Sequence, residues 1–251
     1  MKKSLRITAV ILTLNEEKHI QACIESLGWA DDVVVFDSYS QDKTVEIAKS
    51  CGATVYQNRF ENYSQQRNAA LSAVSTDWVF FVDADERAST HLAAEIRRVV
   101  NTQPEMGWYV PRHNYIFDNL TLHAGWFPDH QLRLFKHGSV QYKRPVHEVA
   151  VVDGKIGYLK NVLIHYNYHD KAQFHKTQRA YSSYEARILH GEGVRPKPQN
   201  YILQPLRQFR WRFFGLTGYR DGWHGFWLSA MMAYYEWDKY RKLAWFWRKE
   251  R

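Results

Sequence analysis

The first hundred residues alternate short, nearly unbroken apolar runs with stretches in which apolar residues recur every three or four positions, the pattern of βαβ units around a parallel sheet. Ile7 to Thr13 is the first apolar run and the first expected strand. A helix is expected from about Glu16 to Leu27, with Asn15 as N-cap and Gly28 as its stop. Val33 to Phe36 reads as a second strand, followed by a helix that Asp42 can cap and that ends near Cys51-Gly52. Ala53 to Gln57 is a third strand, Tyr63 to Ala73 a helix, Trp78 to Val82 a fully apolar strand and Thr90 to Val100 another helix.

From Gly107 to about Ile164 the texture changes to short aromatic and β-branched runs broken by Pro and Gly, which predicts antiparallel additions and loops. Helical periodicity returns from Lys171 to His190. The division expected is a domain over 1–190, with a donor half over 1–105 and an acceptor half over 106–190, a Gly- and Pro-containing linker over 191–199, and a helical extension over 200–251. The fold class is α/β: a mostly parallel, Rossmann-like central sheet flanked by helices, with that extension at its C-terminal end.

Charge sharpens the division. The whole chain of 251 residues carries +8, yet residues 200–251 hold ten basic and four acidic side chains, so the body before them is nearly balanced. A nearly neutral body argues against a protein that coats nucleic acid. Cys23 and Cys51 form no CxxC pair and are too few for a disulfide framework or a zinc cage, which fits a reducing compartment. Lys2 and Lys3 precede only a short apolar run without a small-residue cleavage site, so no signal peptide is expected. The longest later stretch free of Asp, Glu, Lys and Arg, Gly222 to Tyr235, falls short of the roughly 20 residues that span a bilayer.

Candidate chemistry lies where loops converge at the carboxyl ends of parallel strands. The second strand runs into Asp37-Ser38-Tyr39-Ser40-Gln41-Asp42, and the fourth into Asp83-Ala84-Asp85-Glu86. Oxygen ligands of this kind suit a hard divalent cation that is shared with substrate phosphates.

At these residues the chain resembles a known family. Ile11-Leu12-Thr13-Leu14-Asn15-Glu16, the segment Asp37 to Thr44, Gln66-Arg67-Asn68 and Val82-Asp83-Ala84-Asp85 are similar to the ordered motifs of family 2 glycosyltransferases with the GT-A fold. Gly125-Trp126, the run Asp129-His130-Gln131-Leu132-Arg133-Leu134-Phe135 and Val146-His147-Glu148 resemble the bacterial branch that includes lipopolysaccharide core β-glucosyltransferases, as does the stretch from Gly218 to Leu243. The chain departs from many relatives at Ser38, where they have a second acidic residue, and at Tyr39, where they have Gly.

The resemblance implies a nucleotide-diphosphate sugar donor, a UDP-sugar foremost, and a divalent metal, manganese or magnesium. It implies Asp85 as the direct metal ligand, Asp83 nearer the ribose, and His147 approaching the metal or diphosphate. The resemblance further implies that Thr13, Asn15, Glu16 and Asp37 line the base and ribose side and that Arg67 meets a phosphate or ribose oxygen. Transfer with inversion needs a base, because a sugar hydroxyl is a poor nucleophile until its proton is being removed. Asp129 matches the family's acidic position for this role, with Glu148 competing. His165 and His169, separated by Tyr166-Asn167-Tyr168 at an expected strand end, read as structural.

The extension holds six of the ten tryptophans. Trp223, Phe226, Trp227, Ala230, Met231 and Tyr234 fall on one helical face flanked by Arg and Lys, a composition suited to the headgroup boundary of an anionic membrane. The same aromatics could instead close a core or a dimer seam, or stack single-stranded nucleic acid. The leading expectation is a cytoplasmic enzyme on the inner face of the cell membrane. It would move a hexose, glucose foremost, to a lipopolysaccharide-type or other lipid-linked saccharide. A peptide or polyprenyl phosphate acceptor is the rival among enzymes, and a nucleic-acid-binding module the rival of another class; no nucleic-acid partner is expected.

Overall fold

The computed structural model describes residues 4–143 and 149–250. The chain divides into two compact units, Met1–Arg112 with His130–His165, and His113–Asp129 with Tyr166–Arg251.

In the first unit, β1 (Ile7–Thr13), β2 (Asp32–Asp37), β3 (Thr54–Gln57) and β4 (Trp78–Asp83) pair in parallel in the order β3-β2-β1-β4. Crossovers run outward from β1 to β3 and then return to β4 on its other side. That reversal creates a crevice where Thr13 and Asp83 end neighbouring strands. Helices α1 (Ile20–Ser26), α2 (Thr44–Ser50), α3 (Tyr63–Ala73) and α4 (Thr90–Thr102) complete the βαβ region. One sheet face buries Ile7, Ile11, Phe80 and Val82 against Ile20 and Ile24 of α1 and Leu92 and Ile96 of α4. The other buries Val10, Val79 and Phe81 beside Ala70 and Leu71 of α3. Burial on both faces is why these strands are apolar throughout rather than alternating. Each large side chain so buried contributes about 1.5–3 kcal/mol.

The sheet then grows by β5 (Glu86–Ala88), β6 (Gly107–Ile116), β7 (Asn119–Thr121), β8 (Asp129–Lys136), β11 (Ile156–Tyr158) and β12 (Leu163–Tyr168), while β9 (Val140–Lys143) pairs with β10 (Val149–Val152) apart from it. The expected antiparallel texture is present: β8 opposes β4 with Phe80 across from Leu134, and β12 opposes β5 with His165 across from Glu86. One addition is parallel, β11 on β6.

The start of α1 differs from the expectation. Asn15 adopts φ 57° and its Oδ1 accepts from the Gln41 backbone at 2.8 Å, so it does not cap a helix. The Glu16 and Glu17 backbone N–H groups donate to Thr44 Oγ1 and Asp42 Oδ2 at 2.8 and 3.1 Å. Residues 14–19 are thereby stapled to the loop after β2, and regular helix begins at Ile20.

In the second unit, α5 (Lys171–Gly191) is capped by Asp170, which accepts from the Gln173 backbone at 2.7 Å. No helix or strand occupies 192–199. Next come α6 (Asn200–Arg210), a π turn over Trp211–Gly215, a 3-10 turn over Gly218–Asp221 and α7 (Gly222–Lys249). Phe174 of α5 packs with Ile116, Tyr168, and Leu228 and Tyr235 of α7 in one core, against which Trp227 and Met231 also rest. Of the expected α7 face, Trp227 and Met231 therefore rest against core, while Trp223, Phe226 and Tyr234 are exposed. Among the described residues no helix is long and apolar enough to cross a membrane.

Candidate active site

Asp83 ends β4, and its carboxylate meets guanidinium groups carried by other elements. Arg133 of β8 donates from Nη1 to Asp83 Oδ1 at 3.1 Å and from Nη2 to Oδ2, and Arg67 of α3 approaches Oδ1 at 3.8 Å. Glu86 is fully buried and accepts from Arg133 and Arg112 at 2.8 and 2.9 Å, while its other oxygen accepts from the Asp83 backbone at 2.9 Å. Burial alone would raise the Asp83 carboxyl, but Arg133 and Arg67 outweigh it and hold the group well below the usual carboxylate range. In the same way burial disfavours the charged Arg133, and Asp83 with Glu86 more than restore it. Three guanidiniums thus surround two carboxylates.

Two residues on, Asp85 meets the opposite environment. Its Oδ2 lies 3.3 Å from His165 Nε2, and His165 is buried on β12. Burial, with Asp85, Asp42 and Asp83 nearby, pushes the Glu16 carboxyl up to about 7. Arg87 fixes the turn between the two aspartates by donating to Ala84 O at 2.8 Å and Glu86 O at 2.7 Å, and it reaches His19 O at 3.0 Å. Among the described residues no group of three or more His, Cys, Asp or Glu side chains is arranged to hold a metal. Asp85 and His165 do present an oxygen and a nitrogen side by side, which fits a cation whose remaining positions go to water and phosphate oxygens.

Asp37 is fully buried. Its Oδ1 accepts from Thr13 Oγ1 at 3.1 Å and from Ser40 Oγ, and its Oδ2 from the Ser40 backbone at 2.9 Å and Gln57 Nε2 at 3.2 Å. It anchors the loop that also holds Asn15. Ser38 Oγ accepts from Gln66 Nε2 at 3.1 Å. Tyr39 sits at φ 62°, in the left-handed region that favours glycine, and its side chain is exposed.

In the second unit, Asp129 opens β8 and its Oδ2 lies 3.4 Å from Asn114 Nδ2, which also donates to Trp126 O at 2.8 Å. Asn114 is itself fully buried. His147 and Glu148 lie outside the described residues.

The family model for glycosyl transferase family 2 matches residues 8–166. The chain belongs to this family. This family 2 glycosyltransferase is 29% identical over 245 residues to the lipopolysaccharide core biosynthesis glycosyltransferase LpsC of Rhizobium meliloti, covering 92% of this chain and 88% of that protein. Among solved structures it resembles the mannosyltransferase PcManGT of Pyrobaculum calidifontis in complex with GDP-Man and Mn2+, with TM-score 0.58, 15% identity and coverage of 97% and 88% of the two chains. It also resembles glucosyl-3-phosphoglycerate synthase of Mycobacterium tuberculosis in complex with Mn2+, UDP and glucosyl-3-phosphoglycerate, with TM-score 0.50, 19% identity and coverage of 77% and 82%. The shared fold is GT-A.

The structure of this glycosyltransferase brings Thr13, Asn15, Glu16, Asp37, Arg67, Asp83 and Asp85 together within the first unit. It adds Glu86, Arg112, Arg133 and His165, which the sequence did not single out as site residues. Arg133 appears in the sequence only as context for Asp129, and His165 only as one of a structural pair. Their signal is strand pairing: β8 lies beside β4 and β12 beside β5.

Proposed function

We propose that this glycosyltransferase moves a hexose, glucose foremost, from a nucleotide-diphosphate sugar to a saccharide of lipopolysaccharide or a related lipid-linked glycan, inverting the anomeric carbon. The observation that carries the reading is the split environment at the end of β4, where Asp83 is held by arginines while Asp85 faces His165. Likeness to LpsC over nearly the whole chain supports the class of acceptor. Mn2+ with GDP-Man in one structural neighbour and with UDP in another supports the donor class.

In this reading Asp85 and His165, with His147, would hold a manganese or magnesium ion. That ion, when bound, neutralises charge developing on the departing diphosphate. Asp83 fixes the donor's ribose side, and Arg133 keeps its carboxylate ionised and oriented. Arg67 meets a phosphate or ribose oxygen. Thr13, Asn15 and Glu16 line the base and ribose side, with Asp37 as the buried anchor of their loop. Asp129 accepts the proton of the acceptor hydroxyl, with Glu148 the competing base. The hydroxyl oxygen forms its bond to the anomeric carbon from the face opposite the diphosphate. The bond to the diphosphate oxygen breaks, and the nucleoside diphosphate leaves with the electron pair. The enzyme works in the cytoplasm at the inner face of the membrane, where its acceptor is anchored.

Transfer assays with UDP-glucose, UDP-galactose and GDP-mannose, each with and without manganese, test the reading on purified lipopolysaccharide core acceptors. Metal-dependent release of nucleoside diphosphate with sugar gained by the acceptor is the expected result. Failure with every donor, or transfer only to a peptide, overturns it.

A further inference from the structure

Helix α6 is turned with its polar side toward the protein. None of its residues is buried. Tyr201 donates to Tyr240 O of α7 at 3.4 Å, and Gln204 and Gln208 line a cavity of about 390 Å³ together with Glu236 of α7. The opposite side carries Ile202 and Leu206, four residues apart on one face and 71% and 52% exposed. The surface continues beyond the helix. Phe209 and Phe213 rest on the ring of Phe226 at 5.7 Å, Trp223 stacks on Phe226 at 5.1 Å, and Phe214 and Trp223 are exposed. Contiguous apolar surface of this kind marks a contact site rather than ordinary solvent-facing structure.

Charge identifies the occupant. Residues 193–223 contain six basic side chains and one acidic, Asp221, which accepts from the His123 backbone at 2.9 Å; Arg207, Arg210 and Arg220 are exposed along the same stretch, Arg207 at the rim of the cavity it shares with Glu236. A second copy of this chain docked face to face would set these arginines against their own like. An anionic bilayer instead offers phosphates to the arginines and an acyl boundary to the apolar side chains.

We infer that the outward face of α6, continued through Phe214 to Trp223, is the surface by which the enzyme lies on an anionic membrane. This rests on the membrane-surface reading proposed above and extends the contact from the exposed start of α7, where Trp223 and Phe226 lie, onto α6. Farther along α7, Trp227 and Met231 of the expected face rest against the core instead.

The test is sedimentation of the full-length protein with vesicles of phosphatidylcholine alone and of phosphatidylcholine mixed with phosphatidylglycerol. Binding is expected to the mixed vesicles only and to weaken with added salt. Ile202→Asp with Leu206→Asp should weaken it roughly tenfold or more. Arg207→Gln and Arg210→Gln should each weaken it about fivefold at low salt. Thermal melting and nucleotide binding should stay unchanged in these variants. Trp223→Ser, at a ring 77% exposed, gives an independent reading should the aspartate pair disturb folding. Wild-type protein that ignores anionic vesicles sinks the membrane reading and this inference together. Wild-type binding that every variant retains sinks only the assignment to α6. A wild-type dimer that Ile202→Asp with Leu206→Asp converts to monomer, with vesicle binding untouched, gives the face to a second copy and overturns the inference.

Discussion

Asp83 and Asp85 are separated by one alanine and have opposite surroundings because different strands supply their neighbours. With Arg133 on both oxygens, Asp83 is pinned. Asp85→Ala is therefore expected to abolish metal-dependent binding of UDP-sugar, with little change in melting, in calorimetry run with and without manganese. Arg133→Met strips Asp83 and the buried Glu86 of a shared partner, and should destabilise the fold by about 3 kcal/mol in chemical denaturation. Glu16 gives a pH signature. Its carboxyl is raised from 4.5 to about 7, so it penalises the folded state only where the unfolded chain has ionised it. The penalty is absent below about 4.5, grows between 4.5 and 7, and is complete above that. Glu16→Gln should thus stabilise the protein by roughly 1–2 kcal/mol at pH 8, its partial exposure screening the effect, and by little at pH 4. Asp129→Asn should lower turnover by about 10²- to 10⁴-fold with donor affinity kept, and Glu148→Gln should change turnover far less. The acidic residues of the candidate site were legible because they follow apolar runs directly. Their partners Arg133, Arg112 and His165 were not, since only pairing of strands distant in sequence brings them near.

Elements were most legible where local and tertiary preferences agree. For α3 the start and end match the expectation, with Asn62 accepting from the Gln65 backbone at 3.0 Å as a cap should. The expectation fails at α1, where the would-be cap Asn15 bonds instead to the loop after β2, a tertiary contact that local sequence does not encode. Helical period located α7 but not which side it buries, because an apolar stripe reads alike whether it meets core or lipid. Gly225 is a further constraint there: a Cβ at this position would stand 2.0 Å from Gly218 O. Gly225→Ala should force the 3-10 turn away from α7 and cost about 1–3 kcal/mol, measured by thermal melting.

For the molecule as a whole, the uneven charge anticipated that the C-terminal fifth differs from the body, but not that it shares a core with α5 and β12. Leu228 and Leu243 are fully buried and Tyr235 nearly so. A chain ending at residue 198 should therefore leave Phe174 uncovered and the second unit unfolded, detectable as lost helical circular dichroism and proteolysis of α5. Point changes on α6 leave that core intact, which makes them the cleaner probe of the tail. An enzyme seated through α6 also changes what concentration means in its kinetics. Enzyme and lipid-anchored acceptor then meet within a layer rather than a volume, so their effective concentration follows the packing of acceptors per unit area. Diluting the acceptor with inert phospholipid at constant bulk amount should slow transfer, whereas diluting the whole vesicle suspension above saturation should not.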